Sequence, residues 1–379
     1  MRVLHVLPTR ASEYGGPVRI AEGMCSGLTR AGYSVDLFPA ASGPHGSGRL
    51  LAYSPGLRGL SALREKSAAA DIVHVHGLWT VPTSAAAIFA RALKRPFIIT
   101  ANGMLDRWSM ARSRTKKQIY AALIERGNLD AASAIHFNSD EERDEAKAFG
   151  IRTSTFVLPN GIDVAAVSDL PGRDELWRRY PQTRAKCVLL FLGRIHPKKG
   201  LPLLVDALPE LIARQPYLHV LVAGPDEGGH LAEVQAQVTR HDLQRYVTFT
   251  GSVEGEHKRL LLGGSDIFVL PSHQEGDSMA VKEALGAGLP VVITYPCHFR
   301  QVAEVEAGFV VHPVSEAIGQ ALERLCMDET LRARMGENAR ALIDRHYRWE
   351  VIALELAKRY EEVLGRHPAQ PAAVASGVA

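Results

Sequence analysis

The sequence predicts an α/β protein built as two Rossmann-like βαβ domains facing each other. Three observations carry this: short apolar, β-branched runs alternate with longer amphipathic ones, most runs stop at Gly, Pro, Asn or Asp, and the whole series occurs twice. At ~150 residues per domain, 379 residues also fit two domains, each large enough to bury its own core.

In the first series, residues 2–7, 34–38, 71–76, 96–100, 134–138 and 155–158 read as strands, with helices near 18–31, 84–94, 116–128 and 140–149. Residues 159–181 carry Pro-Asn-Gly and Pro-Gly breakers and read as a linker. The second series then places strands at 186–192, 218–223, 247–250, 267–270, 290–293 and 309–311, with helices near 203–213, 230–241, 256–262 and 278–287. From Ser315 to Leu364 apolar residues recur at helical spacing, and 367–379 reads as a disordered tail. The expected domains are 1–165, 166–345, a helix over 346–366 that returns to the first domain, and the tail 367–379.

Composition narrows the function. With 46% hydrophobic residues the chain is not mostly disordered, and a net charge of +3 excludes a general nucleic-acid binder. Cys25, Cys187, Cys297 and Cys326 are widely spaced and read as reduced cytosolic thiols rather than a zinc or redox motif. Residues 1–10 read as a first strand, not a signal peptide, and no run of ~18 apolar residues offers a membrane span.

Ligands of open parallel sheets bind beyond the carboxyl ends of the strands, so the loops there carry the chemistry. After the first strand, Gly15-Gly16-Pro17 opens a helix, which reads either as an anion-accepting N-terminus or as a plain turn. Neither GxGxxG nor GxxxxGK[ST] occurs, so ordinary hydride transfer and ATP hydrolysis have no sequence support. In Gly193-Arg194-Ile195-His196-Pro197-Lys198-Lys199-Gly200, Arg194 and Lys199 are spaced to bracket a diphosphate, or are two solvated cations. The third loop runs from Pro271 into a helix. It carries Glu275, Asp277 or Ser278 as a helix cap, and Glu283 inside an apolar helical run, where it needs hydroxyl or N–H partners or else pairs with Lys282.

Taken together, the Gly-Gly-Pro loop, DIVHVHG at 71–77, VLPNGID at 157–163, GRIHPKKG at 193–200 and EGDSMAVKE at 275–283 resemble the retaining GT-B glycosyltransferases of family 4, which include bacterial mannosyl- and glucosyltransferases. The last motif carries that family's pair of glutamates, Glu275 and Glu283, separated by seven residues. The resemblance implies a GT-B fold with an interdomain cleft and a C-terminal helix crossing back to the N-terminal domain. It implies transfer of a hexose from a GDP- or UDP-linked sugar to a glycan or lipid-linked acceptor in cell-surface polysaccharide synthesis, with no metal or other cofactor.

By the same resemblance, Arg194, Lys199 and the backbone of Gly276, Asp277, Ser278 and Met279 hold the donor diphosphate. Glu275 holds hydroxyls of the transferred sugar, Glu283 the ribose, and Val253 lies near the base. Gly15, Gly16, Asn102 and His76 belong to the acceptor and phosphate side. Asn102 stands where many relatives have a histidine of the sugar site; it can hydrogen-bond a hydroxyl but cannot carry a proton at neutral pH. His76 is either a structural hydrogen-bonding residue or part of this site. Two other readings stay open: a nucleotide-sugar 2-epimerase on the same fold, and a non-catalytic nucleotide-sugar-binding partner.

The near-neutral total conceals an asymmetry. Residues 1–170 hold 20 basic and 15 acidic side chains, a net +5, against −2 for the remainder. Arg107, Arg112, Arg114, Lys116 and Lys117, interleaved with Trp108 and Met110, are either a solvated helix start or a patch resting on anionic lipid. The expected location is the cytoplasm, with the second reading placing the protein at the inner face of the membrane.

Overall fold

The computed structural model describes residues 1–9, 16–41, 56–105 and 114–365. Contacts divide the chain into two units, Met1–Gly161 with Trp349–Ala379, and Ile162–Arg348.

The first unit holds β1 (Arg2–Thr9), β2 (Ser34–Ala41), β3 (Ile72–His76), β4 (Phe97–Thr100), β5 (Ala134–Phe137) and β6 (Thr155–Val157). They form one parallel sheet in the order β2-β1-β3-β4-β5-β6. Strands covered on both faces need apolar residues at nearly every position, and β1, β3, β4 and β5 are buried throughout apart from Arg2. Leu4, Val73, Ile99 and Ile135 face one core with Leu63 and Ala86, whereas Val3, Ile72, Ile98 and Ala134 face another with Met24, Leu28 and Leu356. Helix Trp349–Val363 packs in the second core against helix Gly16–Arg30. Gly23, Gly27 and Gly161 make room for Trp349, because a Cβ on any of them would collide with it.

The second unit holds β7 (Cys187–Leu192), β8 (Leu218–Ala223), β9 (Val247–Gly251), β10 (Ile267–Leu270), β11 (Val291–Thr294) and β12 (Gly308–Val311). Its parallel sheet runs β12-β11-β10-β7-β8-β9, so the order reverses at the central pair β10 and β7. That pair marks the topological switch point where loops diverge and ligands bind.

Helical expectations needed three corrections. Helix Gly56–Ala69 was not expected, and only Leu63 and Ser67 of it are buried, which leaves a weak apolar stripe in the sequence. The helix expected over 116–128 is instead Arg114–Tyr120, a π-turn at Ala121–Glu125, and Arg126–Ala131. Residues 159–181 do hold the boundary between the units, at Gly161/Ile162, but most of the stretch belongs to the second unit and contains helix Arg173–Arg179, whose Leu176 is fully buried against Gly264. Gly15, Arg107, Trp108, Met110, Arg112 and the tail 367–379 lie outside the described residues. Of the basic stretch, Lys117 holds its ammonium 5.7 Å from the Trp79 ring centroid. Among the described residues no helix is long and apolar enough to cross a membrane.

Candidate functional site

At the switch point of the second unit, the loops following β7 and β10 are locked together. Gly200 adopts φ +64°, and a Cβ there would strike the Pro271 carbonyl, so the close approach needs glycine. His273 N donates to Lys198 O at 2.7 Å. The consequence is an ion pair between residues 76 positions apart: Lys199 Nζ lies 2.6 Å from Glu275 Oε1. Their side chains are 17% and 8% exposed, so both charges have lost most of their water and each depends on the other. Ser272 Oγ donates to the same Oε1 at 2.6 Å.

The loop after β11 supports this pair from behind. Glu275 N donates to Pro296 O at 3.0 Å, and Thr294 Oγ1 donates to Ser272 O at 2.5 Å. Burial and the nearby Glu275 charge push the Cys297 thiol up to about 11, which keeps it protonated and inert. These supports were missed in the sequence, although they too lie just past the carboxyl end of a strand.

Helix Met279–Gly286 begins next to Glu275. Ser278 occupies its N-cap, as expected, but its side chain makes no cap bond, and Asp277 turns inward to an ion pair with Lys282. Lys282 is 1% exposed and its ammonium lies 4.9 Å from the centre of the Tyr347 ring. Burial lowers the pKa of Lys282, while Asp277 works the other way and keeps the charge. Glu283 does not pair with Lys282; it receives Lys258 Nζ at 2.7 Å, both side chains being 20% exposed. Gly276 is exposed and Met279 partly so, whereas Ser278 is buried. Val253 packs partly buried against the core.

Arg194 is placed differently from the expected bracket. It is 62% exposed and bonds Glu227 Oε2 at 2.6 Å rather than converging with Lys199 on one point. An ion pair this exposed is weak, so parting Arg194 from Glu227 costs little.

In the first unit the candidates His76 and Asn102 lie at the carboxyl ends of β3 and β4, and Asn138, which the sequence reading did not single out, lies at that of β5. His76 ends β3 and is fully buried. Asn102, after β4, has φ +51°, and Gly103 follows at +72°, a left-handed pair that Asn tolerates better than most residues. Glu142 clamps this corner, accepting from Gly103 N and, at 2.7 Å, from Asn138 N, while Ser139 caps its helix. Asn138 Nδ2 then donates to Asn102 Oδ1 at 3.3 Å. Gly16 starts its helix with open space where a Cβ would be.

His5, His74 and His76 form the one histidine, cysteine and carboxylate group among the described residues with spacing near that of metal ligands, their ligand atoms lying within 4.8 Å. Two nitrogens on one zinc ion, each at about 2.1 Å, lie no more than about 4.2 Å apart. The nitrogens are also engaged with one another and with hydroxyls: His5 Nδ1 contacts His76 Nε2 at 2.8 Å, and His74 contacts Tyr360 Oη at 2.5 Å and Thr100 Oγ1 at 2.6 Å. The group is therefore built as a hydrogen-bond chain.

Comparison with known proteins agrees with this architecture. A family model for glycosyl transferases group 1 matches residues 174–342, and one for a glycosyl transferase 4-like domain matches residues 15–161. A phosphatidyl-myo-inositol mannosyltransferase of Mycolicibacterium smegmatis is 35% identical over 213 residues, 55% of this chain and 52% of that protein, so the chain spans about half the length of this relative. A D-inositol 3-phosphate glycosyltransferase of Corynebacterium jeikeium is 26% identical, covering 92% of each chain. Among solved structures, HepE from Anabaena in complex with UDP superposes with a TM-score of 0.72 at 18% identity, covering 96% of this chain and 100% of that one, which establishes the GT-B fold. With a 4-like domain in its first unit and a group 1 domain in its second, the chain belongs to the family 4 glycosyltransferases.

Proposed function

We propose that the chain is a retaining glycosyltransferase that moves a hexose from a nucleoside-diphosphate sugar to a glycan or lipid-linked acceptor. The observation that carries the reading is the largely buried Lys199–Glu275 pair in the loop whose exposed Gly276 leads into helix Met279–Gly286. Breaking the sugar–phosphate bond builds negative charge on the leaving diphosphate and positive charge on the sugar carbon. Lys199 and the helix N-terminus oppose the first, with Arg194 added once it leaves Glu227. Glu275 presents a carboxylate to sugar hydroxyls, and Glu283 to the ribose. Fixed cations then stabilise the leaving group without a metal, so activity persists in EDTA.

The acceptor is assigned to the first unit on the strength of Asn102 and His76. Similarity to mannosyltransferases whose names specify phosphatidyl-myo-inositol supports a lipid-linked acceptor, and GDP-mannose and UDP-glucose head the donor panel. Contact with anionic lipid belongs to the same reading, and sedimentation with anionic vesicles at rising salt tests it. The central experiment incubates the purified protein with the donor panel and bacterial lipid-linked glycans, then assigns the product anomer by NMR. Transfer with retained anomeric configuration is expected. A folded protein that binds no nucleotide sugar overturns the proposal, and conversion of donor without acceptor would make it an epimerase.

A further inference from the structure

Among the described residues, His5, His74, His76 and His136 of the first unit form a single chain of hydrogen bonds whose direction is fixed by its far end. His136 Nε2 lies 2.7 Å from the carbonyl of Leu158, which only accepts, so His136 carries its proton on Nε2. Its Nδ1 must then accept from Thr100 Oγ1, 2.8 Å away. With its one proton committed, Thr100 accepts from His74 Nε2, and His74 Nδ1 accepts from Tyr360 Oη. Tyr360 in turn accepts from His5 Nε2 at 3.4 Å, which leaves His5 Nδ1 to accept from His76 Nε2 at 2.8 Å. Every proton is assigned, and the chain ends at His76 Nδ1 as a bare lone pair.

Running the links beyond Tyr360 in reverse would set the lone pair of His5 against that of Tyr360 and strand a buried N–H on His76. Orphaned N–H groups are rarer and costlier than under-used acceptors, so the first order holds. Burial also depresses the pKa of His5, His74 and His76, in keeping with neutral rings that carry one proton each.

Among the described residues, His76 Nδ1 is buried with no hydrogen-bond partner, and so are Asn102 Nδ2 and Asn138 Oδ1. These three residues follow or end β3, β4 and β5, neighbouring strands of the sheet. Buried polar groups are normally satisfied, and three orphans at the same end of three adjacent strands mark a place where a ligand supplies the bonds. We infer that His76 Nδ1 is a tautomer-locked acceptor for a ligand hydroxyl, completing with Asn102 Nδ2 and Asn138 Oδ1 an acceptor-donor-acceptor row that recognises a sugar or cyclitol. The inference rests on the proposed glycosyl transfer for its biological meaning, but the lock itself is a property of the free protein.

The experiment is 15N NMR of the histidine side chains in the full chain, with myo-inositol and methyl α-D-glucopyranoside as free polyol probes and GDP-mannose and UDP-glucose as donor probes. His5, His74, His76 and His136 are expected as Nε2–H tautomers at neutral pH, and the His76 Nδ1 signal is expected to move with a probe. A response to free polyols places the hydroxyl on the acceptor, and a response to donors alone places it on the transferred sugar. A protonated Nδ1 on His76, or a signal unmoved by every probe as a buried water would leave it, overturns the inference.

Kinetics supply the second reading. In His76→Asn the amide oxygen replaces Nδ1, whereas in His76→Gln the amide nitrogen replaces the Nε2 donor to His5 and nothing replaces Nδ1. His76→Gln is expected to raise the KM of the hydroxyl-bearing substrate roughly tenfold, the loss of one hydrogen bond, with His76→Asn losing less. Equal losses in the two variants overturn it. A protein without transferase activity would sink the proposed function alone, since the NMR arm still reports on His76.

Discussion

Lys199 Nζ and Glu275 Oε1 meet at 2.6 Å across two loops that follow adjacent strands. Neither side chain has enough water to stand alone, so each substitution has two consequences that can be separated. Lys199→Met leaves a largely buried carboxylate unpaired and should cost about 3–5 kcal/mol of stability. It should also lower turnover by roughly 10²–10³, the usual loss of one fixed charge-stabilising donor. Lys199→Met with Glu275→Gln should recover most of the stability and none of the activity, read by urea unfolding beside a transfer assay.

Glu275→Gln alone keeps an acceptor for Ser272 but removes the charge. Most turnover should be lost while nucleotide binding stays largely intact by calorimetry. Equal turnover in this variant would mean that Glu275 does not act at the sugar.

The two sheets were legible because parallel strands buried on both faces must be written as unbroken apolar runs, as in CVLLFL of β7 and LHVLVA of β8. Pairings between distant loops were not. Lys199 and Glu275 were each singled out, yet nothing in the sequence says that a left-handed Gly200 lets their loops touch. Glu283 was weighed against Lys282 because they are neighbours, but adjacent residues of a helix point about 100° apart, and the actual partner is Lys258. The histidine chain was equally hidden: only the sheet register that sets His76 beside Thr100, and Thr100 beside His136, joins β3, β4 and β5 into one network.

Asp277 holds Lys282 beneath the start of the helix that bears Glu283. Asp277→Ala should cost about 3–5 kcal/mol by leaving a buried ammonium unpaired. Asp277→Ala with Lys282→Met should return to the parent stability or exceed it, because well-packed apolar groups replace buried pairs without loss. Nucleotide affinity should still fall in the double variant, since the loop from Gly276 to Ser278 has lost its inward anchor. An unchanged affinity would show that the pair serves stability alone.

Trp349 fits over Gly23, Gly27 and Gly161, where a Cβ on any one would collide with it. Gly23→Ala should therefore destabilise the first unit by about 1–3 kcal/mol through overpacking. Trp349→Ala should cost about 3–5 kcal/mol by opening a cavity in the same core. In the combined variant the methyl has space, so the losses should be less than additive by thermal or urea unfolding. Strict additivity would mean that the two helices do not pack through this contact.

His5, His74 and His76 make stability depend on pH in a defined direction. Burial lowers the pKa of His5 to about 3 and takes His74 and His76 well below 6.5. In the unfolded chain all three titrate near 6.5, so below that pH the unfolded state binds more protons and stability falls with pH. Their contribution is fully present above pH 6.5 and is lost as pH falls from there towards the folded values. Each ring adds about 1.4 kcal/mol per pH unit once its unfolded counterpart is protonated, so the three together add about 4 kcal/mol per unit. Urea unfolding of the full chain at half-unit steps from pH 7 to 4.5 measures this slope for the first unit, and His74→Leu should reduce the histidine part by a third. Carboxylates titrate alike in both proteins, so the difference in slope isolates the ring. If the slope is the same in both, His74 takes up its proton in the native state, and the neutral chain that fixes the tautomer of His76 is lost with it.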